Sequence, residues 1–442
     1  MAGPTGEASR LERRLPDHRP NYHEGAAIAE AARCLYCHDA PCVEACPTGI
    51  DIPGFIRKIT TGNVRGAART ILAANLLGYS CARVCPVEVL CAGACVYNHL
   101  GREPIAIGRL QRFAVEAMLD RRAVAGLLGR RPANGKQVAC VGAGPASLAC
   151  AGYLALEGFR CVVFEKRALA GGLNTTGVAP YKMHVEDSLR EAALIRELGV
   201  EVRTGIEAGR DLSPARLLEE YDAVFLGVGL GADSRLGIPG EEGPGVMGAT
   251  AWIERLKTDS SFVAPEARNA VVIGGGNTAI DAARELAHLG VKDVVLAYRR
   301  TEDVMPGYAH ELAQARREGV RFVERAVPRE FVRRPGGALQ AVRCEDGRDL
   351  PCELALVAIG QAPLRELTAA FPGVETDEQG RIVADPASGR TGHPRVYAGG
   401  DAVSGGELVV TAVQDGKRAA RAICAQCGIA APEQAPLLAG RR

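Results

Sequence analysis

Eight of the chain's fifteen cysteines fall between Cys34 and Cys95, in two runs of four. The first is Cys34, Cys37, Cys42 and Cys46, spaced C-x2-C-x4-C-x3-C and followed by Pro47. The second is Cys81, Cys85, Cys91 and Cys95, with Pro86 behind Cys85. Thiolates at such spacings are ligands for soft metal centres. In one arrangement of this kind three thiolates and a distant fourth hold a [4Fe–4S] cluster, and the Cys before Pro reaches a second cluster. Zinc is the rival, but zinc sites normally use C-x2-C pairs and close at four ligands. Eight thiols in two groups, each with a Cys-Pro, fit two cubane clusters better. His38 and His99 lie near the thiols and read as surface residues.

The other residues with chemistry in their spacing are glycines. From Val138 the chain reads Val-Ala-Cys-Val-Gly-Ala-Gly-Pro-Ala-Ser, then a helical stretch, then Cys-Val-Val-Phe-Glu. Gly142 and Gly144 let the backbone approach a pyrophosphate, and a helix opening at Pro145 and Ala146 aims its free N–H groups at it. Glu165 stands 23 residues after Gly142, where an acid accepts from ribose hydroxyls. Ser147 takes the third glycine position, a departure expected to loosen helix–strand packing. As the more N-terminal of two such units, this one is assigned to FAD. Gly171, Gly172 and Leu173 offer a further glycine turn against the flavin's ribityl chain or ring. A buried strand from Asp222 ends in Gly227 and Gly229. Near the C-terminus a strand from Val396 runs into Gly399, Gly400 and Asp401, with Asp401 placed for a ribityl hydroxyl. A helix over 408–422 brings Thr411 towards the flavin's carbonyl edge, where its dipole stabilises reduced, anionic flavin.

A second fingerprint begins at Ala270. Gly274, Gly276 and Ala279 occupy its small positions, and Asn277 and Thr278 open its helix. The following strand ends in Arg299 and Arg300, without the expected acid. A guanidinium there pairs with a 2′-phosphate that an acid would repel. NADPH is therefore the expected nucleotide, with NADH the lesser choice. A strand over 354–359 leads through Gly360 back towards the first domain.

These groups need elements to hold them. A length of 442 residues sets a prior of about three domains. The fold class expected is α/β: two Rossmann-like domains, the NADPH domain inserted in the FAD domain, behind an α-helical iron–sulfur domain. Residues 1–22 read as a polar, mobile lead-in and 23–120 as the helical domain, with helices at 24–33, 52–60 and 64–74. Residues 121–136 read as a linker, 137–245 and 361–442 as the two parts of the FAD domain, and 246–360 as the NADPH domain. A net charge of +1 gives no reason to expect nucleic acid or an anionic membrane surface. No apolar run reaches the roughly 18 residues of a membrane span. The N-terminus shows no basic region followed by an apolar core, so a cytoplasmic protein is expected. Cysteines in that setting point to metal or redox chemistry rather than disulfides. Cys424 and Cys427 read as structural or incidental.

From about Glu24 to Ala422 the chain resembles the flavin-containing small subunit of glutamate synthase. Its resemblance is closer still to the N-terminal half of dihydropyrimidine dehydrogenase and the separate flavin subunit of its bacterial form. The resemblance is carried by Arg33-Cys-Leu-Tyr-Cys-His-Asp-Ala-Pro-Cys, Cys85-Pro86, Ile107-Gly-Arg-Leu-Gln111, Gly142-Ala-Gly-Pro-Ala-Ser147 and Tyr298-Arg299-Arg300. It implies an unequal ligand set: Cys34, Cys37, Cys42 and Cys95 for one cluster, and Cys46, Cys85, Cys91 and Gln111 for the other. Gln111 sits sixteen residues after Cys95, the spacing that family shows, and Cys81 becomes a spare thiol. The bacterial pyrimidine-reducing enzymes are NADH-linked, whereas Tyr298-Arg299-Arg300 looks like the NADPH-type glutamate synthase subunit.

The function expected is electron transfer from NADPH through FAD and two [4Fe–4S] clusters to a partner. Hydride transfer needs no general base, and no side chain is assigned a catalytic role. The partner expected is an FMN-containing catalytic subunit of a hetero-oligomer, pyrimidine-reducing first and glutamate-synthase-like second. One rival is a self-contained disulfide reductase, yet no cysteine lies between Cys161 and Cys344. The other is a redox sensor or scaffold, against which both complete fingerprints speak.

Overall fold

The computed structural model describes residues 10–121 and 126–430. The cysteine region folds as short helices: α1 (Glu24–Ala32), α2 (Pro41–Glu44), α3 (Ile52–Thr60), α4 (Val64–Ala74), α5 (Gly78–Val84), α6 (Val96–His99) and α7 (Ile107–Asp120). Polar side chains start three of them. His23, Asp51 and Asn63 accept from the amides of Ala26, Gly54 and Gly66 at 3.2, 2.9 and 2.8 Å, as N-caps do. The turn between α3 and α4 runs through Gly62 at φ +74°. Ile56, Ile59, Ile71 and Leu110 are fully buried between α3, α4 and α7, each contributing about 1.5–3 kcal/mol.

The chain continues as β1 (Gln137–Val141), α8 (Pro145–Leu156), β2 (Arg160–Glu165), α9 (Leu173–Thr176), α10 (Val185–Glu197), β3 (Glu201–Thr204), α11 (Pro214–Glu220) and β4 (Ala223–Leu226). Then come β5 (Val246–Gly248), α12 (Ala249–Thr258), β6 (Asn269–Ile273), α13 (Asn277–His288), β7 (Asp293–Ala297), α14 (Ala309–Arg317), β8 (Arg321–Val323), β9 (Pro328–Arg333), β10 (Leu339–Cys344), β11 (Asp349–Pro351) and β12 (Leu354–Val357). The last elements are α15 (Arg365–Ala369), β13 (Val396–Ala398), α16 (Asp401–Ser404) and α17 (Val409–Gln426). The fold class is α/β, with parallel sheets in Rossmann-type order behind an N-terminal helical region.

Two compact units result. The larger takes residues 19–174, 186–230 and the described chain from 363 on. Its parallel sheet has the order β13-β4-β1-β2-β3. The cysteine helices do not stand apart from this sheet: Ile71, Leu76 and Leu110 belong to one continuous apolar core with Cys150 and Leu154 of α8 and Ile423 of α17. Helices α8 and α17 approach so closely that a Cβ on Gly416 would lie 2.1 Å from the Ala146 carbonyl oxygen. Helix α17 runs past the expected end and buries Cys424, whose thiol burial pushes up to about 12. Of the expected linker, residues 122–125 lie outside the described residues. Its later part is packed: Leu127 is buried and the Arg131 amide donates to the Leu156 carbonyl at 2.8 Å.

The smaller unit takes residues 231–362 together with 175–185 and 10–18. Its parallel sheet has the order β5-β12-β6-β7-β8, and β9, β10 and β11 form a separate antiparallel sheet. Residues 10–18 are no loose lead-in, and positions 1–9 lie outside the described residues. Glu12 and Leu15 are buried, and the Glu12 carboxylate accepts from the Val185 amide at 3.1 Å. In the segment 175–185, the Tyr181 hydroxyl donates to Asp281 Oδ1 at 2.6 Å. Lys182 Nζ lies 2.8 Å from both Asp281 Oδ1 and Glu311 Oε1. Arg284 of α13 completes this buried network by pairing with Glu311 at 2.5 Å and Glu318 at 2.8 Å. Among the described residues no helix is long and apolar enough to cross a membrane.

Candidate cofactor sites

At the end of β1 the chain turns through Gly142, Ala143 and Gly144 into α8. Gly142 has φ +88°, and a Cβ there would come 2.5 Å from the Gly227 carbonyl oxygen. Gly172 has φ +56°, and a Cβ there would come 2.7 Å from Gly144 Cα. The Gly171 amide donates to the Ala143 carbonyl at 2.8 Å, which ties the two glycine turns together. Gly144 caps α8 with Pro145 at its first position, so the amides that follow have no partner within the helix. Gly400, at φ +70°, sits beside Ala146: its Cβ would be 3.1 Å from that side chain. Bare backbone thus gathers at the C-terminal edge of the sheet, the surface a pyrophosphate needs.

Glu165 braces this turn from below. Its Oε2 accepts from the Ala143 amide at 2.7 Å and its Oε1 from the Arg167 amide at 2.8 Å. Each oxygen retains a second acceptor site for a ribose hydroxyl. Ser147 does not loosen the helix. Gly227 faces it, and a Cβ on Gly227 would come 2.2 Å from Ser147 Oγ, so the glycine missing from the helix is supplied by the strand. Leu173 opens α9, and Gly229 follows β4 at φ +64°. Asp401 starts α16 and accepts from the Glu407 amide at 3.1 Å; burial raises its pKa. Thr411 lies in the first turn of α17.

The second fingerprint has the same build. Gly274, at φ +154°, has the Ala358 carbonyl oxygen 2.3 Å from where a Cβ would stand. Gly276 caps α13 and faces open space. Asn277 Oδ1 accepts from the Tyr308 amide at 3.0 Å, and Thr278 is exposed. Gly275 lets the Tyr298 ring lie flush against the turn, 2.3 Å from its absent Cβ. Arg299 and Arg300 follow β7, both exposed, and among the described residues neither side chain has a hydrogen bond or ion pair. By contrast Arg316 and Arg321 are engaged with Glu302 and Asp293. Gly360, at φ +111°, closes the unit's last strand connection, its carbonyl accepting from the Ser234 amide at 2.8 Å.

Cys34, Cys37, Cys42 and Cys95 line one cavity with Leu35, Ile56 and Tyr97 among its walls. The loop holding Cys34 takes left-handed backbone at Tyr36, φ +52°, and the Tyr36 amide serves the Cys34 sulfur. Burial, then the charges of Cys34 and Cys95, push the Cys42 thiol up to about 12. Cys85 is raised by its hydrogen bond with Cys81, by burial, and by Cys91 and Cys46. Burial and Cys46 push Cys91 up to about 12. Cys34 and Cys42 in one group and Cys85 and Cys91 in the other therefore resist ionisation on their own, and a cationic centre beside them removes that cost. The donor sets fit iron–sulfur chemistry. Among the described residues no three His, Cys, Asp or Glu side chains converge tightly enough to grip a single metal ion.

Gln111 is buried on α7, and its Nε2 donates to the Gly78 carbonyl at 2.6 Å. That bond fixes which way the amide is turned, and among the described residues Oε1, the atom a metal would take, accepts no hydrogen bond. Cys81 receives one from Asn75 Nδ2 at 3.2 Å. His38 lies on the surface. Spacing alone did not reveal Glu191, whose carboxylate receives the first amides of α5; no local pattern marks it.

Comparison with known proteins follows the same division. Residues 12–123 match the family described as dihydropyrimidine dehydrogenase domain II, 4Fe–4S cluster. Residues 136–416 match the pyridine nucleotide-disulphide oxidoreductases. The Escherichia coli (strain K12) glutamate synthase [NADPH] small chain is 35% identical, over 91% of this chain and 92% of the relative. The NAD-dependent dihydropyrimidine dehydrogenase subunit PreT of the same strain is 35% identical, over 92% and 96%. The NADP(+)-dependent formate dehydrogenase subunit beta of Moorella thermoacetica is 34% identical, over 90% of this chain and 62% of that subunit. Among solved structures, T. acidophilum thioredoxin reductase superposes with a TM-score of 0.55 at 23% identity, covering 66% of this chain and 99% of that one. That likeness shows the fold. The chain is an oxidoreductase and belongs to the pyridine nucleotide-disulphide oxidoreductase family, in the group of glutamate synthase small chains and PreT subunits that carry an N-terminal 4Fe–4S domain.

Proposed function

We propose that this chain oxidises NADPH and passes the electrons, through FAD and two [4Fe–4S] clusters, to an FMN-containing partner subunit in a hetero-oligomer. One observation carries the reading: the cysteine helices and the sheet with the flavin-type glycine cradle share one apolar core in one unit. A relay that must keep fixed distances between flavin and clusters needs that arrangement. When bound, FAD takes a hydride from NADPH and releases the two electrons singly. The chain's own residues do the placing. Gly142, Gly144 and Gly172 admit a pyrophosphate, Asp401 and Glu165 accept from hydroxyls, and Arg299 and Arg300 meet the 2′-phosphate. Cys34, Cys37, Cys42 and Cys95 are assigned to one cluster, and Cys46, Cys85, Cys91 and Gln111 to the other.

The partner is a dihydropyrimidine dehydrogenase-type FMN subunit in the first reading. The unpaired side chains of Arg299 and Arg300 favour a second: a partner like the large chain of glutamate synthase, because the small chain of that enzyme named above is NADPH-linked and PreT is NAD-dependent. An anaerobic titration of the purified protein with NADPH and then NADH, read by visible absorbance and EPR together, tests both. Flavin bleaching with cluster signals supports the relay. A better reductant in NADPH favours the second partner, and in NADH the first. Flavin that neither nucleotide bleaches overturns the proposal.

A further inference from the structure

Helix α5 carries Cys81 and is capped by Cys85, and its N-terminal end is held by a side chain from the flavin-type sheet's own helix. Glu191 of α10 is buried, 2% exposed. Its Oε1 accepts from the Tyr79 amide at 2.8 Å, and its Oε2 from the Ser80 amide at 3.1 Å and from the Ser80 hydroxyl. The same hydroxyl accepts from Asn174 Nδ2 at 3.0 Å. Asn174 directly follows the glycine turn at Gly171 and Gly172. One continuous hydrogen-bonded chain therefore runs from the loop assigned to the flavin, through Asn174 and Ser80, to Glu191 and the start of α5. From there Cys85 is about 10 Å away along the helix.

Glu191 is also the acid of this region that lacks a cationic partner. Asp187, one turn earlier on α10, pairs with Arg83 of α5 at 3.1 Å and accepts from the Tyr79 hydroxyl at 2.8 Å. Arg190 of α10 pairs with Asp120 at the end of α7, and Glu116 of α7 with Arg112 at 2.8 Å. Among the described residues no Lys or Arg pairs with Glu191. Burial, opposed by the bonds from Ser80 and Tyr79, brings its pKa to about 7.

We propose that Glu191 is a positioning residue for electron transfer: it fixes α5 against the flavin loop, and its charge sets the reduction potential of the cluster held through Cys85. The inference rests on the function proposed above. Each electron reaching that cluster comes from flavin reduced by NADPH. When Glu191 is ionised it opposes the electron; when it takes one proton from water, charge balances and reduction becomes easier.

The test is an EPR-monitored redox titration of the cofactor-loaded protein between pH 6 and 8.5. In the wild type one cluster's midpoint potential falls as pH rises through neutrality. In Glu191→Gln that potential stays at its low-pH value throughout. Ser80→Ala retains the acid but removes a donor that stabilises its charge, so the inflection moves to higher pH; this holds even if Glu191→Gln fails to assemble. A wild-type potential independent of pH, or variants that track the wild type at full iron content, overturn the inference while leaving the relay intact. A wild-type protein with flavin but no iron overturns the functional reading, and this inference with it.

Discussion

Gly172 lies against Gly144, with room for hydrogen alone between them: a Cβ on Gly172 would stand 2.7 Å from Gly144 Cα. The contact joins two turns 28 residues apart in the chain, and their joint surface is what a pyrophosphate would rest on. Gly172→Ala meets both that clash and a left-handed backbone, a cost of about 1–3 kcal/mol. The expected result is purified protein with little bound flavin and a lower melting temperature. Flavin absorbance per chain and a thermal melt measure the two, and full flavin content would refute the cradle.

The exposed pair at the end of β7 makes a sharper prediction. A charge-assisted hydrogen bond is worth about 1.5–3 kcal/mol, roughly a 10- to 100-fold change in affinity. Arg300→Asp should weaken NADPH by that factor and NADH by much less. Steady-state KM for the two nucleotides decides it, and equal losses would sink the 2′-phosphate assignment.

The ligand set assigned to the second cluster has five candidates for four positions: Cys46, Cys81, Cys85, Cys91 and Gln111. Cys81 has a hydrogen-bond donor in Asn75, while Gln111 has its oxygen uncommitted. Two [4Fe–4S] clusters amount to about eight irons per chain. Cys81→Ala is expected to keep them, and Cys85→Ala to retain about half. Gln111→Leu should alter the EPR signal of one cluster without touching the other. Iron loss in Cys81→Ala would transfer the fourth position to that thiol.

Glu311 predicts how the smaller unit responds to acid. Burial opposes its ionisation, but Lys182 and Arg284 overcome this and bring its pKa down to about 2. The unfolded chain binds this proton more readily than the folded one, so the ionised pair stabilises the unit fully above about pH 4.5 and is lost towards pH 2. Glu311→Gln strips a partner from buried cations, at a cost of about 3–5 kcal/mol. The variant should melt earlier at pH 7, and the gap to wild type should shrink as pH falls from 4.5. A gap that stays constant over that range would contradict the assignment.

The local devices were legible in the chain. The glycine turns at Gly142 and Gly274 and the helix pair over 52–60 and 64–74 follow from spacing and residue type, whereas the grouping of Cys95 with Cys34, Cys37 and Cys42 comes from the family resemblance, since spacing alone puts Cys95 in the other run. What escaped were pairings made at long range. Ser147 looked like a defect because Gly227, which makes room for it, lies 80 residues on. Residues 10–18 looked mobile because their composition is polar, yet Glu12 is buried under the Val185 amide. Glu191 is an ordinary charged residue on an amphipathic helix and Lys182 one in a turn, and only burial gives them partners.

The smaller unit draws on three separated stretches of chain, and Lys182 on one of them neutralises Asp281 and Glu311 on another. Anyone grafting a different nucleotide preference onto this protein by exchanging 231–362 as a block would discard two acids and leave their buried counter-ion, Lys182, behind in the host. The transplantable module is discontinuous, and a working chimera has to carry 175–185 along with it.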